Sequence, residues 1–321
     1  MKRIVVLTSG GDAPGMNACI RSVVRTALHY GFEVFGVLRG FAGLIEDEFI
    51  EITGKGVGNL LQTGGTVLYT SRCPEFKTLK GQSLAIENLK RRGIEGLVII
   101  GGDGSFAGAE VLRKAGFCVA CVPGTIDNDL YYTDFTLGFD TAVNTITSLV
   151  NNIRDTAMSH ERPSVIEVMG ANCGDIALAV GCACGAELIL VPEIKVTKKQ
   201  ILKTILKCKE LGKNSCLIIT NEKTYGANEL SAYINENLKI SSRPLVVGHV
   251  QRGGSPSAKD RILALKFGIS AVELLMNNKS GAIGIVKDEI INCPIVNALN
   301  GSRKFNIDLY NKNCLVSGVN D

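Results

Sequence analysis

No apolar run in this 321-residue chain approaches the ~20 residues that a membrane-spanning helix requires. The first residues, Met1-Lys2-Arg3-Ile4-Val5-Val6-Leu7-Thr8, read as a short strand and not as a signal peptide. A cytoplasmic protein without a membrane partner is expected. Tryptophan is absent, aromatic residues make up 6% of the chain and the formal charge is only +4, so neither base stacking nor a basic surface argues for nucleic acid. An anionic small molecule suits this balance better. Internal repeats and low-complexity linkers are missing too. The eleven cysteines are scattered, with no secretory feature beside them, and are expected to be free buried thiols. Cys118 and Cys121 should point to opposite faces of a strand. Cys182 and Cys184 should lie about 200° apart on a helix. Neither pair is expected to form a redox or metal site.

What is present is an alternation of β-branched runs and amphipathic stretches, in a chain long enough for two α/β domains. The fold class expected is α/β, with parallel sheets and crossover helices. Strands are predicted at Arg3–Thr8, Glu33–Leu38, Gly96–Ile100, Cys118–Val122, Ser164–Met169, Glu187–Val191, Cys216–Thr220, Leu245–Val247 and Gly284–Val286. Helical spacing predicts Asn17–Tyr30, stopped by Gly31, and Asp140–Ser159. Arg21 and Arg25 share one face of the first helix.

Three strand ends carry candidate chemistry. The segment Ser9-Gly10-Gly11-Asp12-Ala13-Pro14-Gly15 leads into a helix, where free N–H groups and the helix dipole favour phosphate. It matches neither a Walker A loop nor G-x-G-x-x-G, so a plain tight turn remains open. Gly101-Gly102-Asp103-Gly104-Ser105 sets one carboxylate among glycines at a strand end, which suits Mg²⁺ on nucleotide phosphates or, alternatively, a helix cap. Pro123-Gly124-Thr125-Ile126-Asp127-Asn128-Asp129 offers two carboxylates that face one way if the backbone is extended. One could take a proton from an attacking hydroxyl while the other serves the metal. Arg162, Arg243 and Arg252 are candidate phosphate cations. Among the histidines, His29 is expected to cap or pack a helix end, His160 is uninformative, and His249 precedes a glycine turn near a ligand.

In these segments, together with Met169-Gly170, Cys173-Gly174-Asp175 and Gly248–Pro256, the chain resembles the bacterial-type, ATP-dependent 6-phosphofructokinases over nearly its whole length. The resemblance implies the phosphofructokinase fold, with an ATP-binding domain at 1–138 plus 251–303 and a sugar-phosphate domain at 139–250 plus 304–321. It implies phosphorylation of fructose 6-phosphate at its 1-hydroxyl, a step of glycolysis. Asp127 is then the catalytic base, Asp103 and Asp129 lie near Mg²⁺, and Thr125 lies near the transferring group. Gly11 and Arg72 contact ATP phosphates, and Cys73, Gly102, Asp103, Gly104, Ser105 and Gly108 complete the nucleotide side. Thr125, Ile126, Met169, Gly170, Glu222, His249, Val250, Gln251 and Arg252 serve the sugar phosphate. Arg162 and Arg243 come from a neighbouring subunit of a homotetramer. The family's effector site for ADP or phosphoenolpyruvate uses Arg21, Arg25, Arg154, Glu187 and Lys213.

Pyrophosphate-using relatives carry Asp and Lys where this chain has Gly104 and Gly124, so the resemblance favours ATP as donor. Other kinases with Gly-Gly-Asp-Gly lack Thr125–Asp129 and Gly248–Pro256 together, and the intact Asp103, Asp127 and Asp129 argue against a non-catalytic paralogue. Ala171 replaces a common arginine, and Lys77 and Gln82 stand where the nucleotide side often has arginine. Leu211, Asn214 and Ser215 thin the basic cluster around Lys213, each lost cation removing roughly 1.5–3 kcal/mol of charge-assisted hydrogen bonding. Weakened allostery is expected.

Overall fold

The computed structural model describes residues 1–319. They divide into two compact units, one of Met1–Ile126, Leu130–Thr141 and Arg252–Arg303, the other of Asp127–Asp129, Ala142–Gln251 and Lys304 onward. Asp127–Asp129 and Gln251 therefore cluster with the second unit, and the first turn of the helix after Gly138 clusters with the first.

The first unit runs β1 (Arg3–Thr8), α1 (Met16–His29), β2 (Glu33–Val37), α2 (Phe41–Glu46), β3 (Phe49–Glu51), α3 (Leu79–Arg91), β4 (Gly96–Gly101), α4 (Asp103–Lys114) and β5 (Cys118–Pro123). Strands β1, β2, β4 and β5 pair in parallel. Their positions alternate between faces, as the period of an extended chain requires. Val5, Leu7, Leu97, Ile99, Val119 and Cys121 pack with Leu44, Leu89, Phe106 and Leu112 of α2, α3 and α4. Ile4, Val6, Val98, Ile100, Ala120 and Val122 are equally buried on the other face.

In the second unit, α5 (Phe139–Ser159) leads to β6 (Ser164–Val168), α6 (Asp175–Cys184), β7 (Leu188–Leu190), α7 (Lys198–Glu210), β8 (Leu217–Asn221), α8 (Ala227–Leu238) and β9 (Arg243–Val246). The sheet order is β7-β8-β6-β9, all parallel. Val165, Leu188, Leu190 and Ile218 pack with Ile201 and Ile205 of α7 and with Leu230 and Ile234 of α8. A capping box, Thr197 with Gln200, starts α7.

The chain then adds α9 (Ala258–Met276), β10 (Gly281–Val286), β11 (Glu289–Cys293) and α10 (Ile295–Leu299) to the first unit, and α11 (Ile307–Ser317) to the second. The first sheet has the order β11-β10-β5-β4-β1-β2-β3, with β3 and β11 antiparallel at its edges. It is thus mixed and not purely parallel. Helices α1 and α9 approach closely because Gly268 lacks a side chain: a Cβ there would lie 2.5 Å from Ser22. Ser22 Oγ donates to the Leu265 carbonyl at 2.9 Å across the same contact.

Asp260, 1% exposed, fixes the entry to α5. Its carboxylate accepts the Gly138 N–H at 3.0 Å, the Thr141 N–H at 2.9 Å and the Thr141 hydroxyl. These donors include N–H groups that have no partner within the helix. Replacing Asp260 by alanine strands all three in a buried place, so Asp260→Ala should lose about 2–5 kcal/mol of stability. Urea unfolding of wild type and variant would measure this, and an unchanged midpoint would contradict it.

Candidate active site

The nucleotide-side segments converge at the carboxyl ends of β1, β4 and β5. Ser9 N–H donates to the Ile100 carbonyl at 3.0 Å and Gly124 N–H to the Gly101 carbonyl at 3.0 Å, continuing the parallel ladder past the strands. Ser105 Oγ donates to the Ser9 carbonyl at 3.1 Å, and Gly101 has no room for a Cβ between those two residues. Gly10 and Gly15 take φ 88 and 100, which lets the loop turn into α1. The Thr70 hydroxyl donates to the Gly10 carbonyl at 2.8 Å, while the Asn17 side chain donates to Gly64 and accepts from the Val67 N–H. This anchors the segment that presents exposed Arg72 and half-buried Cys73.

Arg252 reaches the same loop. Its Nη1 donates to the Asp12 carbonyl at 3.1 Å and lies 2.5 Å from where a Gly11 Cβ would sit. Asp103 and Gly104 are exposed at the amino end of α4, after the N-cap Gly102, so Asp103 stands in the first helical turn and not at the cap. The half-buried Thr125 lies beside Gly102, and its carbonyl accepts the Thr136 hydroxyl at 2.6 Å.

Two residues carried over to the nucleotide side prove to be packed. Ser105 is buried and clamps the first loop. Gly108 lies under the Phe41 ring, whose Cζ would be 2.5 Å from an added Cβ. Phe41 in turn packs on Phe76 with ring centroids 4.4 Å apart. Phe41 is itself buried in the core of the first sheet. Of the two substituted nucleotide-side positions, Lys77 is exposed, while Gln82 donates to the Phe76 carbonyl at 3.1 Å.

In the second unit the carboxyl ends of β6, β8 and β9 gather the sugar-side residues. The half-buried Met169 donates its N–H to Gln251 Oε1 at 3.0 Å, and Ala171 donates its N–H to Glu222 Oε1 at 3.1 Å. Gly170 takes φ 135 with the Cys173 carbonyl 2.5 Å from its missing Cβ. Gln251 is fully buried and also donates to the Gly248 carbonyl at 2.9 Å. It supports the turn that exposes His249 and Val250, and its amide is engaged by the Met169 N–H and the Gly248 carbonyl. Burial pushes the Cys173 thiol up to about 12, so it is no nucleophile at neutral pH.

Ile126 is fully buried, whereas Asp127 and Asp129 are half-buried. The extended backbone expected between the two acids is not present. Asn128 has φ 52, so strand alternation does not relate the two carboxylates.

Arg162 and Arg243 occupy the opposite edge of their sheet. Arg243 opens β9 opposite Ser164, the first residue of β6, and Arg162 lies two residues earlier. Seven residues at ~3.3 Å each separate Arg162 from Met169, roughly 20 Å along an extended chain. Within one chain they are not brought together with the sugar-side residues.

The effector candidates on this unit are already engaged. Lys213 Nζ lies 3.0 Å from Glu187 Oε1 and donates to the Ser317 carbonyl at 2.6 Å, while Glu187 Oε2 accepts the Leu217 N–H at 2.8 Å. Arg154 donates to the Cys184 carbonyl at the end of α6. Arg21 and Arg25 lie on α1, half-buried and exposed respectively. Beside Lys213, a cavity of about 330 Å³ is lined by Ile205, Cys208, Cys216 and Leu238. Cys208 and Cys216 thus border one cavity, a proximity that spacing did not suggest. None of the cysteines forms a disulfide.

Among the described residues no three His, Cys, Asp or Glu side chains gather as a metal cluster, and no helix is long and apolar enough to cross a membrane.

The phosphofructokinase family model matches residues 3–275. Two curated relatives from Clostridium botulinum strains, Alaska E43 and Loch Maree, are named ATP-dependent 6-phosphofructokinase. They are 51% and 52% identical over 97% of this chain and 98% of their own length. Among solved structures, phosphofructokinase from Saccharomyces cerevisiae superposes with TM-score 0.88 at 34% identity, covering 99% of this chain, which spans 48% of the yeast chain. A pyrophosphate-dependent phosphofructokinase from Marinobacter aquaeolei shares the fold, with TM-score 0.87 at 23% identity over 100% of this chain and 92% of its own.

The two glycines that the resemblance links to the donor differ physically. A Cβ on Gly104 meets open space, whereas one on Gly124 would lie 2.9 Å from Ile100 Cγ2 and 3.1 Å from Met16 Cε. Gly104→Ala should therefore be neutral or stabilise α4 by up to about 1 kcal/mol. Gly124→Ala should cost about 1–3 kcal/mol through overpacking. Thermal unfolding of the two variants reads the difference, and equal midpoints would refute it.

Proposed function

The chain belongs to the phosphofructokinase family, and on that premise we propose that it transfers the γ-phosphoryl group of ATP to the 1-hydroxyl of fructose 6-phosphate. The products are fructose 1,6-bisphosphate and ADP, and the setting is cytoplasmic glycolysis. The observation that carries the reading is the meeting of Gly11, Arg252, the amino end of α4 and Thr125 at three adjacent strand ends. Helix and loop N–H groups there favour phosphate, and open α/β sheets bind ligands at that edge. Open space at Gly104 supports a nucleotide donor.

In this reading Asp127 accepts the proton of the sugar 1-hydroxyl as its oxygen attacks phosphorus. Arg72 and the Gly11 N–H hold the ATP phosphates, Arg252 holds the sugar phosphate, and Thr125 orients the group in transit. Exposed Asp103, with glycines on both sides, fits a Mg²⁺ that arrives on the triphosphate, because this ion keeps several waters and needs only one or two carboxylates. Asp129 is its second candidate ligand. When bound, the ion offsets charge on the β- and γ-phosphate oxygens.

Met169, Glu222 and His249 are the further sugar contacts in this reading. Because Arg162 and Arg243 sit at the other edge of that sheet, we assign them to the site of a neighbouring copy in a homotetramer. For ADP or phosphoenolpyruvate, the Lys213–Glu187 pair is the obstacle, since an anionic effector must compete with Glu187 for the ammonium.

A coupled assay with fructose 6-phosphate and Mg²⁺ tests the reaction. Turnover is expected with ATP and not with pyrophosphate, and Asp127→Ala should lower kcat by about 10²–10⁴-fold with near-normal substrate binding. A fully active Asp127→Ala enzyme would sink the assignment of the base. The sugar-phosphate saturation curve should respond only weakly to ADP and phosphoenolpyruvate. A strongly sigmoidal curve reversed by ADP would contradict the weakened effector site.

A further inference from the structure

Asn128 stands between the two acids of the transfer loop in a conformation that non-glycine residues rarely adopt. Its φ is 52 while only 2% of its surface is exposed. Asparagine tolerates this left-handed region better than most residues, yet something must hold it there. Asn128 Nδ2 donates to Asp175 Oδ2 at 2.9 Å. Asp175 is the first residue of α6, where the helix dipole favours a carboxylate. The entry to α6 is itself fixed, because the N-cap Gly174 donates its N–H to Glu193 Oε1 at 2.8 Å. From the same turn Cys173 Sγ makes a weak contact, 4.0 Å, with the Asn128 carbonyl. The left-handed residue is thus gripped at its side chain and at its backbone by the start of one helix.

We propose that Asn128 and Asp175 are a positioning pair for phosphoryl transfer. Their hydrogen bond holds the left-handed kink, and the kink sets the directions of Asp127 and Asp129. Neither residue of the pair touches substrate. This role rests on Asp127 being the base, as read above. The polar character of Asn128 has a plain alternative, a structural tie that keeps the loop folded, and the two make different predictions. A tie affects stability alone, whereas a positioning pair affects kcat through a misplaced base, for which an error of about 1 Å costs on the order of 10²-fold.

Four variants separate them. Asn128→Gly keeps the left-handed conformation accessible without the amide. Asp175→Ala removes the acceptor, Asp175→Asn retains an acceptor oxygen, and the fourth combines the first two. The proposal expects Asn128→Gly and Asp175→Ala each to lower kcat by about 10–100-fold, with both KM values within about threefold. The double variant should fall no further than the worse single, because the two act as a unit. Asp175→Asn should retain most of the wild-type kcat. A wild-type kcat in Asn128→Gly, losses that multiply in the double variant, or a rise in KM alone would overturn the pair.

Amide hydrogen exchange of the 123–130 peptide in the unliganded protein supplies a readout independent of activity. Exchange should quicken in Asn128→Gly and Asp175→Ala and stay slow in Asp175→Asn. Unchanged exchange in the first two overturns the pair even if the enzyme is active. A wild type without phosphotransfer but with this exchange pattern would reject the proposed reaction and keep the kink.

Discussion

The parallel pairing of β1, β4 and β5 is the constraint on which the nucleotide side depends. Parallel strands send all their carboxyl ends to one edge, so three loops far apart in sequence must emerge side by side. The backbone bonds from Ser9 to Ile100 and from Gly124 to Gly101 carry that ladder into the loops themselves. Ser105 then ties the first loop to the second through the Ser9 carbonyl. Because these contacts belong to the sheet, the exposed N–H groups near Gly11 and Asp103 are held by the core and need no ligand to be in place. Preorganisation of this kind avoids reorganisation at the moment of reaction, the condition under which aligned dipoles act most strongly on developing charge.

The same rule in the second sheet separates residues instead of gathering them. Met169, Glu222 and Gly248 follow β6, β8 and β9 at one edge, while Arg162 precedes β6 and Arg243 opens β9 at the other. No rotamer of an arginine spans a strand's length. The sheet itself thereby turns a question of residue identity into one of assembly. On the proposed reaction, the arginines would serve a sugar phosphate only if another copy brought its own Met169 edge to them.

Much of this was legible in the sequence, and what was not has physical reasons. The strands β1, β4 and β5 are buried on both faces and so read as unbroken β-branched runs. The edge strands β3 and β11 were missed, since Phe49–Glu51 is short and mostly exposed and Glu289–Cys293 has no buried position. Strand β10 was read three residues short because Gly281 and Gly284 hide its start. Candidate site residues were found by type and position, but type does not report burial. Ser105 and Gln251 were named on the resemblance alone, and their burial and their hydrogen bonds to neighbouring loops could not be read from the sequence. The left-handed Asn128 was likewise hidden, because asparagine marks a turn without fixing its hand.

Gly104 and Gly124 show why a residue type alone underdetermines chemistry. Both look like space left for a nucleotide. Only Gly104 opens to solvent, whereas Gly124 lies against Ile100 and Met16 beneath the loop that carries Thr125. A lysine at 124 would have to displace core atoms before it met any phosphate. On the proposed reaction, room for a nucleotide donor is therefore to be sought at Gly104, where an added Cβ meets nothing within 4 Å. Gly124 contributes by letting β5 approach β4 closely enough to deliver Thr125 and Asp127. On the proposed reaction, side chains at both positions would require repacking beneath the loop as well as new charges at α4, so a change of donor would engage the sheet as much as the site.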